Sequence, residues 1–146
     1  MSQQVVYQNE RAESSSSLMA RIVAAPITSA PESAHAAVTA WLADNSHRRA
    51  GRVLKDLLDG SERLRALIAG LADGSPFLWE LVRTDPERLL VLLQSDPDAH
   101  FPALLAIAAT AVAGARDEAE AMRLLRRAKA EAALLTALCD IGGVGR

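Results

Sequence analysis

Aromatic residues and cysteine are scarce in this sequence of 146 residues. Phe, Trp and Tyr make up 3% of the chain, although 50% of its residues are hydrophobic. The strands of a β-sandwich would need more aromatic and β-branched residues, so the composition favours helices that pack through leucine and alanine. The single cysteine, Cys139, excludes an internal disulfide and is typical of a reducing compartment, which predicts a cytoplasmic protein.

Long apolar runs and strong net charge are also missing. The longest apolar stretch, residues 101–115, is interrupted by Pro102 and is shorter than the ~20 residues that cross a bilayer. The chain does not begin with a basic segment followed by an apolar one, as a secretion signal would. The formal net charge of −2 provides no global attraction to nucleic acid or anionic lipid.

Residues 1–32 are predicted to form a flexible N-terminal arm. They contain a run of four serines, and Pro26 and Pro31 break the short apolar piece 18–25. Residues 33–146 show helical periodicity with repeated start and stop signals. We therefore predict an all-α helical domain, an irregular bundle of about seven helices after the arm.

Capping residues, prolines and glycines set the predicted helix bounds. Ser75-Pro76, Asp85-Pro86 and Asp96-Pro97 each place a capping side chain before a proline, which suits the first position of a helix. Ser46 is predicted to cap the second helix. The predicted helices are residues 33–43, 46–59, 61–72, 76–83, 86–94, 97–115 (beginning at Pro97 or His100) and 117–139. The apolar stripe of the last helix contains Leu124, Leu125, Ala128, Ala132, Leu135, Leu138 and Cys139.

Asp96-Pro97-Asp98 is the main candidate for metal binding. Two carboxylates separated by one residue share a face of a strand, where they can hold Mg²⁺ together. Here the middle residue is proline at a helix start, and the Gly-Ser pairs at 60–61 and 74–75 lie too far upstream to cradle nucleotide phosphates. We therefore interpret Asp96 as a cap and Asp98 as an acid that complements the helix dipole.

The remaining reactive residue types do not form a catalytic pattern. The glycines at 142, 143 and 145 are interpreted as a helix end, because a phosphate loop would need a Lys-Ser or Lys-Thr pair. The three histidines, at 35, 47 and 100, are scattered without zinc spacing. Cys139 is predicted to be a buried, unreactive thiol. We predict no catalytic, cofactor-binding or metal-binding residue.

Two basic segments are candidates for binding. The first, around Arg48, Arg49 and Arg52, would suit nucleic acid, but interleaved acids and missing stacking residues favour a solvated helix face. The second is a possible partner-contact face on the last helix. It consists of Arg123, Arg126, Arg127 and Lys129. This face would suit an acidic partner or a neighbouring domain, and a solvated face is again the alternative.

Several segments, in order, resemble one enzyme family. They are Gly74-Ser75-Pro76-Phe77-Leu78-Trp79-Glu80-Leu81, Asp85-Pro86, Leu124-Leu125-Arg126-Arg127 and Cys139-Asp140-Ile141-Gly142-Gly143. Between residues 18 and 144 the chain resembles the N-terminal helical region of the bacterial bifunctional glutamine synthetase adenylyltransferase/adenylyl-removing enzyme. The resemblance implies a region that precedes a nucleotidyltransferase domain. In that family one domain transfers AMP from ATP to a tyrosine of glutamine synthetase, and another removes it by phosphorolysis.

The resemblance implies glutamine synthetase and a PII-type signal protein as partners, and Mg²⁺ and ATP as cofactors of the family. This chain lacks the Gly-rich turn and the Asp-x-Asp metal pair of the family, so we expect no cofactor in it. It ends soon after the last helix, so we expect a truncated form without activity of its own. Leu135, Leu138 and Cys139 would then form an exposed apolar face that favours self-association. A free-standing helical protein-interaction module is the alternative, and a nucleic-acid-binding protein is less favoured by the charge.

Overall fold

The structure, a computed structural model, describes residues 16–23 and 30–144. These residues form eight α-helices and no strand, which confirms the all-α fold class. The helices are α1 (Leu18–Val23), α2 (Glu32–Asp44), α3 (Arg49–Asp59), α4 (Glu62–Gly74), α5 (Pro76–Thr84), α6 (Pro86–Gln94), α7 (Pro97–Ala113) and α8 (Glu118–Ile141). All seven predicted helices are present, and α6 has the predicted bounds.

Side-chain oxygens accept from first-turn backbone N–H groups at the starts of six of these helices. The capping oxygens belong to Ser17, Ser61, Ser75, Asp85, Asp96 and Asp117, at 2.8–3.4 Å. Three of the six precede a proline at the first helical position, so the Ser-Pro and Asp-Pro starts are confirmed. These short-range bonds explain why the chain divides into many short helices.

The start of α3 differs from the prediction. Ser46 does not cap this helix, which begins at Arg49 after a cap residue without a side-chain capping bond. Residues 45–48 form a turn instead, in which the Arg48 N–H donates to the Asn45 carbonyl oxygen at 3.0 Å. This turn lies so close to α3 that a Cβ added at Gly51 would be 2.0 Å from the Asn45 oxygen. Only glycine, which has no Cβ, permits this approach, so the turn packs directly on the first turn of α3.

One leucine-rich core joins α1–α6 to the C-terminal part of α8. We call α1–α6 with residues 134–141 the body. Its most deeply buried side chains include Leu54, Leu58, Leu64, Ile68, Leu71, Leu89, Leu92, Leu93, Leu134 and Leu135. α4 is central, since it contacts α1, α2, α3, α5 and α8. At the edge of the core, the rings of Trp41 and Trp79 meet edge-to-face with centroids 5.6 Å apart.

The helix α1 corrects the prediction of a flexible arm for residues 18–23. Leu18 and Ile22 are buried in the body, where α1 packs on α4 and α6. The Leu18 N–H also donates to the Ser95 carbonyl oxygen at 2.7 Å. A helix of six residues is unstable alone, so its formation depends on these distant partners. Residues 16, 17 and 30–32 of the predicted arm are also described, and Glu32 begins α2. Residues 1–15 and 24–29 lie outside the described residues.

α7 and the N-terminal part of α8 form a helical hairpin, residues 97–133, whose two helices pack chiefly on each other. Leu104 is its one buried leucine, whereas Leu105 is 58% exposed and Ile107 is 69% exposed. The structure therefore places uncovered apolar side chains on α7. The prediction that Leu135, Leu138 and Cys139 form the exposed face is wrong, because Leu135 and Leu138 are fully buried in the body.

Candidate interaction groove

Asp96 and Asp98 belong to a helix start that is bound by an arginine of α1. The Asp96 Oδ1 accepts from the Asp98 N–H at 3.0 Å, which confirms the interpretation of Asp96 as a cap. The Arg21 guanidinium bonds both carboxylates, Nη2 to Asp96 and Nη1 to Asp98, each at 3.1 Å. Within residues 16–23 and 30–144, no group of three or more His, Cys, Asp and Glu residues is placed to hold a metal ion.

The glycines after α8 end the helix, as predicted for Gly142 and Gly143. The Val144 N–H donates to the Cys139 carbonyl oxygen at 2.8 Å, and the Gly143 N–H donates to the Asp140 carbonyl oxygen at 3.3 Å. Gly143 has a φ of 71°, so these bonds form a Schellman motif with glycine in the left-handed position. Gly145 lies outside the described residues.

Cys139 lies where the body meets the hairpin. It lines a cleft of about 650 Å³ between the start of α7 and the end of α8, together with Phe101 and Thr136. The thiol is half-buried rather than fully buried. Burial raises the pKa of the Cys139 thiol, nearby Arg21 opposes this rise, and Asp98 adds to it. The thiolate is therefore disfavoured, which agrees with the predicted low reactivity.

The first basic segment contains several internal contacts. Arg52 donates to the carbonyl oxygens of Ser46 and His47 at 3.4 and 3.2 Å. Asp59 lies 2.7 Å from the Lys55 Nζ and 3.8 Å from the Arg65 Nη1. Acidic partners thus neutralise part of this surface, which favours the interpretation as a solvated helix face.

A groove runs along the hairpin between α7 and α8, with a volume of about 270 Å³. It is lined by Leu104, Ile107, Ala108 and Ala111 of α7 and by Leu124, Arg127, Ala128 and Glu131 of α8. A second, smaller cavity of about 120 Å³ lies between α6 and α8. It is lined by Asp85, Glu87, Arg88, Val91 and Leu92 around α6 and again by Arg127 and Glu131.

Two arginines line these cavities, each beside a carboxylate. The Arg127 Nε lies 3.8 Å from Glu131, and its side chain is 72% exposed. The Arg88 Nη1 donates to the Leu81 carbonyl oxygen at 3.2 Å, and its Nη2 lies 3.9 Å from Asp85. The buried Arg88 Nε has no hydrogen-bond acceptor among the described residues. Arg127 is therefore accessible to a further anionic partner, whereas Arg88 is largely buried.

The predicted basic face on α8 divides between two sides of the helix. Arg123, Arg126, Arg127 and Lys129 are all exposed. Arg127 lines the groove, and Arg123 lies one turn before it, while helical periodicity places Arg126 and Lys129 on the outer side of α8. In the described part of the chain, no carboxylate pairs with Arg123, Arg126 or Lys129. Contact between this face and a partner stays a prediction.

Every helix within the described ranges is too short or too polar to span a lipid bilayer. No family model matches the chain, and no solved structure matches it.

Known enzymes of one kind are similar to most of the chain. The bifunctional glutamine synthetase adenylyltransferase/adenylyl-removing enzyme of Bradyrhizobium diazoefficiens is 50% identical over 128 residues, which are 88% of this chain and 13% of that protein. The enzyme of the same name from Rhodopseudomonas palustris is 48% identical over 129 residues, which are again 88% of this chain and 13% of that protein. That from Xanthobacter autotrophicus is 54% identical over 91 residues, which are 62% of this chain and 9% of that protein. The chain is thus homologous to a small region of these enzymes, as the resemblance predicts.

Proposed function

We propose that this chain supplies a non-catalytic helical part of a bifunctional glutamine synthetase adenylyltransferase/adenylyl-removing enzyme. The observation that carries the proposal is 50% identity over 128 residues to 13% of such an enzyme. A helical region of this size would support the catalytic domains by packing against them. The leucine core of the body and the uncovered apolar side chains of the hairpin support this role, because they combine a folded unit with an open surface.

In this proposal the whole enzyme transfers AMP from ATP to a tyrosine of glutamine synthetase and removes it again with phosphate. It would act in the cytoplasm, and a PII-type signal protein would determine which reaction dominates. The Mg²⁺ and ATP of the reaction would bind to other domains. Asp96 and Asp98 do not fit a metal site, because the Arg21 guanidinium already bonds both carboxylates at a helix start.

A domain exchange tests the proposal. The 128 matched residues of the Bradyrhizobium diazoefficiens enzyme would be replaced by the corresponding residues of this chain. We expect the chimera to retain both activities, measured as AMP incorporation into glutamine synthetase and as ADP release from the adenylylated form with phosphate. An unrelated helical domain of similar length, inserted at the same place, is the control and should abolish activity. An inactive chimera would contradict the proposal.

The isolated chain provides a second test. Purified alone, it should release no ADP from adenylylated glutamine synthetase in the presence of phosphate and Mg²⁺. Measurable release would show that the chain is itself catalytic. Self-association of the isolated chain, followed by analytical ultracentrifugation, is expected to involve the exposed Leu105 and Ile107 of the hairpin rather than the buried Leu135 and Leu138.

The alternative function is a free-standing helical module that binds another protein. It predicts a monomer that unfolds in one cooperative transition and has no uncovered apolar patch. The exposed side chains of α7 weigh against this alternative. Loss of activity in the chimera, together with a monomeric and cooperatively folded isolated chain, would favour it.

A further inference from the structure

The side of the hairpin opposite the groove is an apolar face that the described residues leave largely uncovered. Phe101 of α7 lines the cleft on this side together with Thr136 and Cys139 of α8, so these residues identify the stripe of each helix that lies there. On α7 the stripe continues from Phe101 to Leu105 and then to Val112, at steps of four and seven residues. Leu105 is 58% exposed, Phe101 is 36% exposed and Val112 is half-buried.

The stripe of α8 on this side alternates steps of three and four residues. Counted back from Cys139 and Thr136, it contains Ala132, Lys129, Leu125, Met122 and Glu118. This is the spacing of a line along which two helices pack side by side. Met122 is 48% exposed, and Leu125 is half-buried. We call the α7 stripe within 101–112 and the α8 stripe within 118–129 together the seam face.

The two ends of the α8 stripe carry charges of opposite sign. Glu118 begins the stripe, and Lys129 follows eleven residues later, about 17 Å along the helix. Both side chains are exposed, and neither forms a salt bridge with another described residue. Between them the stripe contains only Met122 and Leu125. The stripe therefore has a negative end, an apolar middle and a positive end.

The other charged residues near the hairpin do not change this pattern. Arg127 and Glu131 line the groove, on the opposite side of the hairpin. Asp98 and Asp140 line the cleft, nearer the body than the stripe from 118 to 129, and Asp98 is bonded by an arginine of α1. Arg126 lies beside the stripe and adds to the positive charge of the end that contains Lys129.

A stripe with this order of charges is complementary to a reversed copy of itself. In an antiparallel pair of α8 helices, Glu118 of each copy lies opposite Lys129 of the other, and Met122 of each lies opposite Leu125 of the other. A parallel pair would place Glu118 against Glu118 and Lys129 against Lys129, and like charges oppose that arrangement. The charges thus favour one occupant, a second copy of the chain, in one direction.

We infer that the seam face binds a second copy of this chain in antiparallel orientation, so that two hairpins form a four-helix bundle. The apolar side chains provide affinity, and the two contacts between Glu118 and Lys129 select direction and register. The paired stripe is only about 17 Å long, so the association is weak and depends on concentration. This inference goes beyond the proposed function and does not depend on it, because it concerns copies of the 146-residue chain alone.

Sedimentation equilibrium of the purified chain measures the association. We expect a monomer–dimer equilibrium between about 10 μM and 1 mM. Leu105→Gln should weaken the dimer about tenfold, because it places a polar group in the apolar middle of the seam face. The control Val91→Gln changes an apolar side chain of α6 that is 47% exposed and lies outside the seam face, so it should leave the equilibrium unchanged. A chain that stays monomeric at every concentration would overturn the inference, and so would equal weakening by both substitutions.

Charge reversals, made singly and together, test the pairing of the two ends. Lys129→Glu should weaken the dimer about tenfold, because both ends of the antiparallel pair then bring like charges together, and Glu118→Lys should do the same. The double variant, with Glu118→Lys and Lys129→Glu, should restore the dimer, since opposite charges again face each other.

The control for these reversals is Arg123→Glu. It makes the same change in net charge as Lys129→Glu at an exposed residue of α8 outside the stripe, so the dimer should keep its strength. A double variant that dimerises no better than the single ones would overturn the antiparallel pairing. Equal weakening by Arg123→Glu and Lys129→Glu would show that only net charge matters, which would overturn it as well.

Cysteine crosslinking measures the direction of the pair. Two proteins carry Cys139→Ser, one together with Glu118→Cys and the other together with Lys129→Cys. A short bismaleimide should join the two proteins in a mixture, because the new cysteines lie opposite each other and the mixed pair keeps one contact between Glu118 and Lys129.

Each protein alone should give no crosslinked dimer, since equivalent cysteines of an antiparallel pair are at least about 17 Å apart. Crosslinking of each protein alone, without a higher yield in the mixture, would indicate a parallel pair and overturn the inference. Absence of crosslinks in the mixture at concentrations where the chain sediments as a dimer would show that another surface forms the dimer.

Discussion

In the body, Leu54, Leu89 and Leu93 are fully buried, whereas in the hairpin Leu105 and Ile107 have more than half of their surface exposed. α8 belongs to both regions, so the contrast exists within one helix. Its Leu134 and Leu138 are buried, but Met122, nearer its start, is exposed. Helix formation is therefore continuous across the boundary, while burial is not.

The difference shows that two kinds of interaction stabilise these helices. In the body, helices as short as α1 exist because the core covers their apolar side chains. In the hairpin, alanine-rich α7 and charged α8 form helices through intrinsic propensity, the caps at Asp96 and Asp117, and contact with each other. The body should thus carry most of the unfolding free energy, and the hairpin should open more easily.

The largest effect is expected from truncating a body leucine on α8. Leu138→Ala should lower the free energy of unfolding by about 2–5 kcal/mol, because it removes a fully buried side chain and leaves a cavity. Ile107→Ala in the hairpin should change it by less than about 0.5 kcal/mol. Urea unfolding followed by circular dichroism measures both. If the two substitutions destabilise equally, the hairpin is part of the same core, and the comparison fails.

Removing a helix cap should change global stability in the body but chiefly local hydrogen exchange in the hairpin. Ser75→Ala, at the start of α5 in the body, should lower the global free energy of unfolding by about 1 kcal/mol. Asp117→Ala, at the start of α8 in the hairpin, should chiefly accelerate amide hydrogen exchange in residues 118–121, with a smaller change in the urea midpoint. Equal shifts of the urea midpoint would show that the hairpin unfolds together with the body.

Local signals explain how much of the fold could be predicted from the sequence. The start of α6 depends on Asp85 and Pro86, which are neighbours, so the sequence is sufficient to place it. The Schellman motif at Gly142 and Gly143 is likewise local. By contrast, α1 is stabilised by contacts with α4 and α6, which are distant in sequence. The sequence of residues 18–23 alone does not indicate that these helices bury its apolar side chains.

The candidate site was harder to predict than the helices that form it. α7 has apolar residues around most of its circumference, so periodicity does not indicate which side is covered. The sequence prediction places the exposed apolar face on α8 instead, at Leu135, Leu138 and Cys139 near the end of the chain, and does not include the groove. Exposure of Arg127 follows from sequence, but its position opposite Arg88 and Val91 depends on how α6 and α8 pack. A sequence signal for the groove exists in hindsight: residues 101–113 have no charged side chain.

A smaller effect on stability is expected from removing the ion pairs that join the body to the hairpin. Arg21 of α1 bonds Asp96 and Asp98 at the start of α7. Arg21→Ala should lower the free energy of unfolding by about 1 kcal/mol or less, since Asp98 is largely exposed. Raising the salt concentration should reduce the difference from the unsubstituted chain. The control is Arg126→Ala, an exposed arginine without a carboxylate partner in the described part of the chain, which should have no salt-dependent effect.

The smallest effect concerns the thiol of Cys139, at the boundary between body and hairpin. Burial raises its pKa above the ordinary value of a cysteine. The folded chain should therefore react with a disulfide reagent more slowly than the urea-unfolded chain at the same pH, and the midpoint of its rate–pH profile should lie higher. Because the folded state favours the neutral thiol, this group contributes stability below the unfolded pKa, and the contribution is lost as the pH rises through the folded pKa.

The neighbours of Cys139 sharpen that measurement. Arg21 favours the thiolate and Asp98 disfavours it, so Arg21→Ala should move the midpoint of the rate–pH profile upward and Asp98→Asn should move it downward. Opposite shifts require that both charges stay close to the thiol, and hence that the start of the hairpin remains fixed to α1. If the midpoint in the folded chain equals that in urea, and neither substitution shifts it, the start of the hairpin is not held against the body at Cys139.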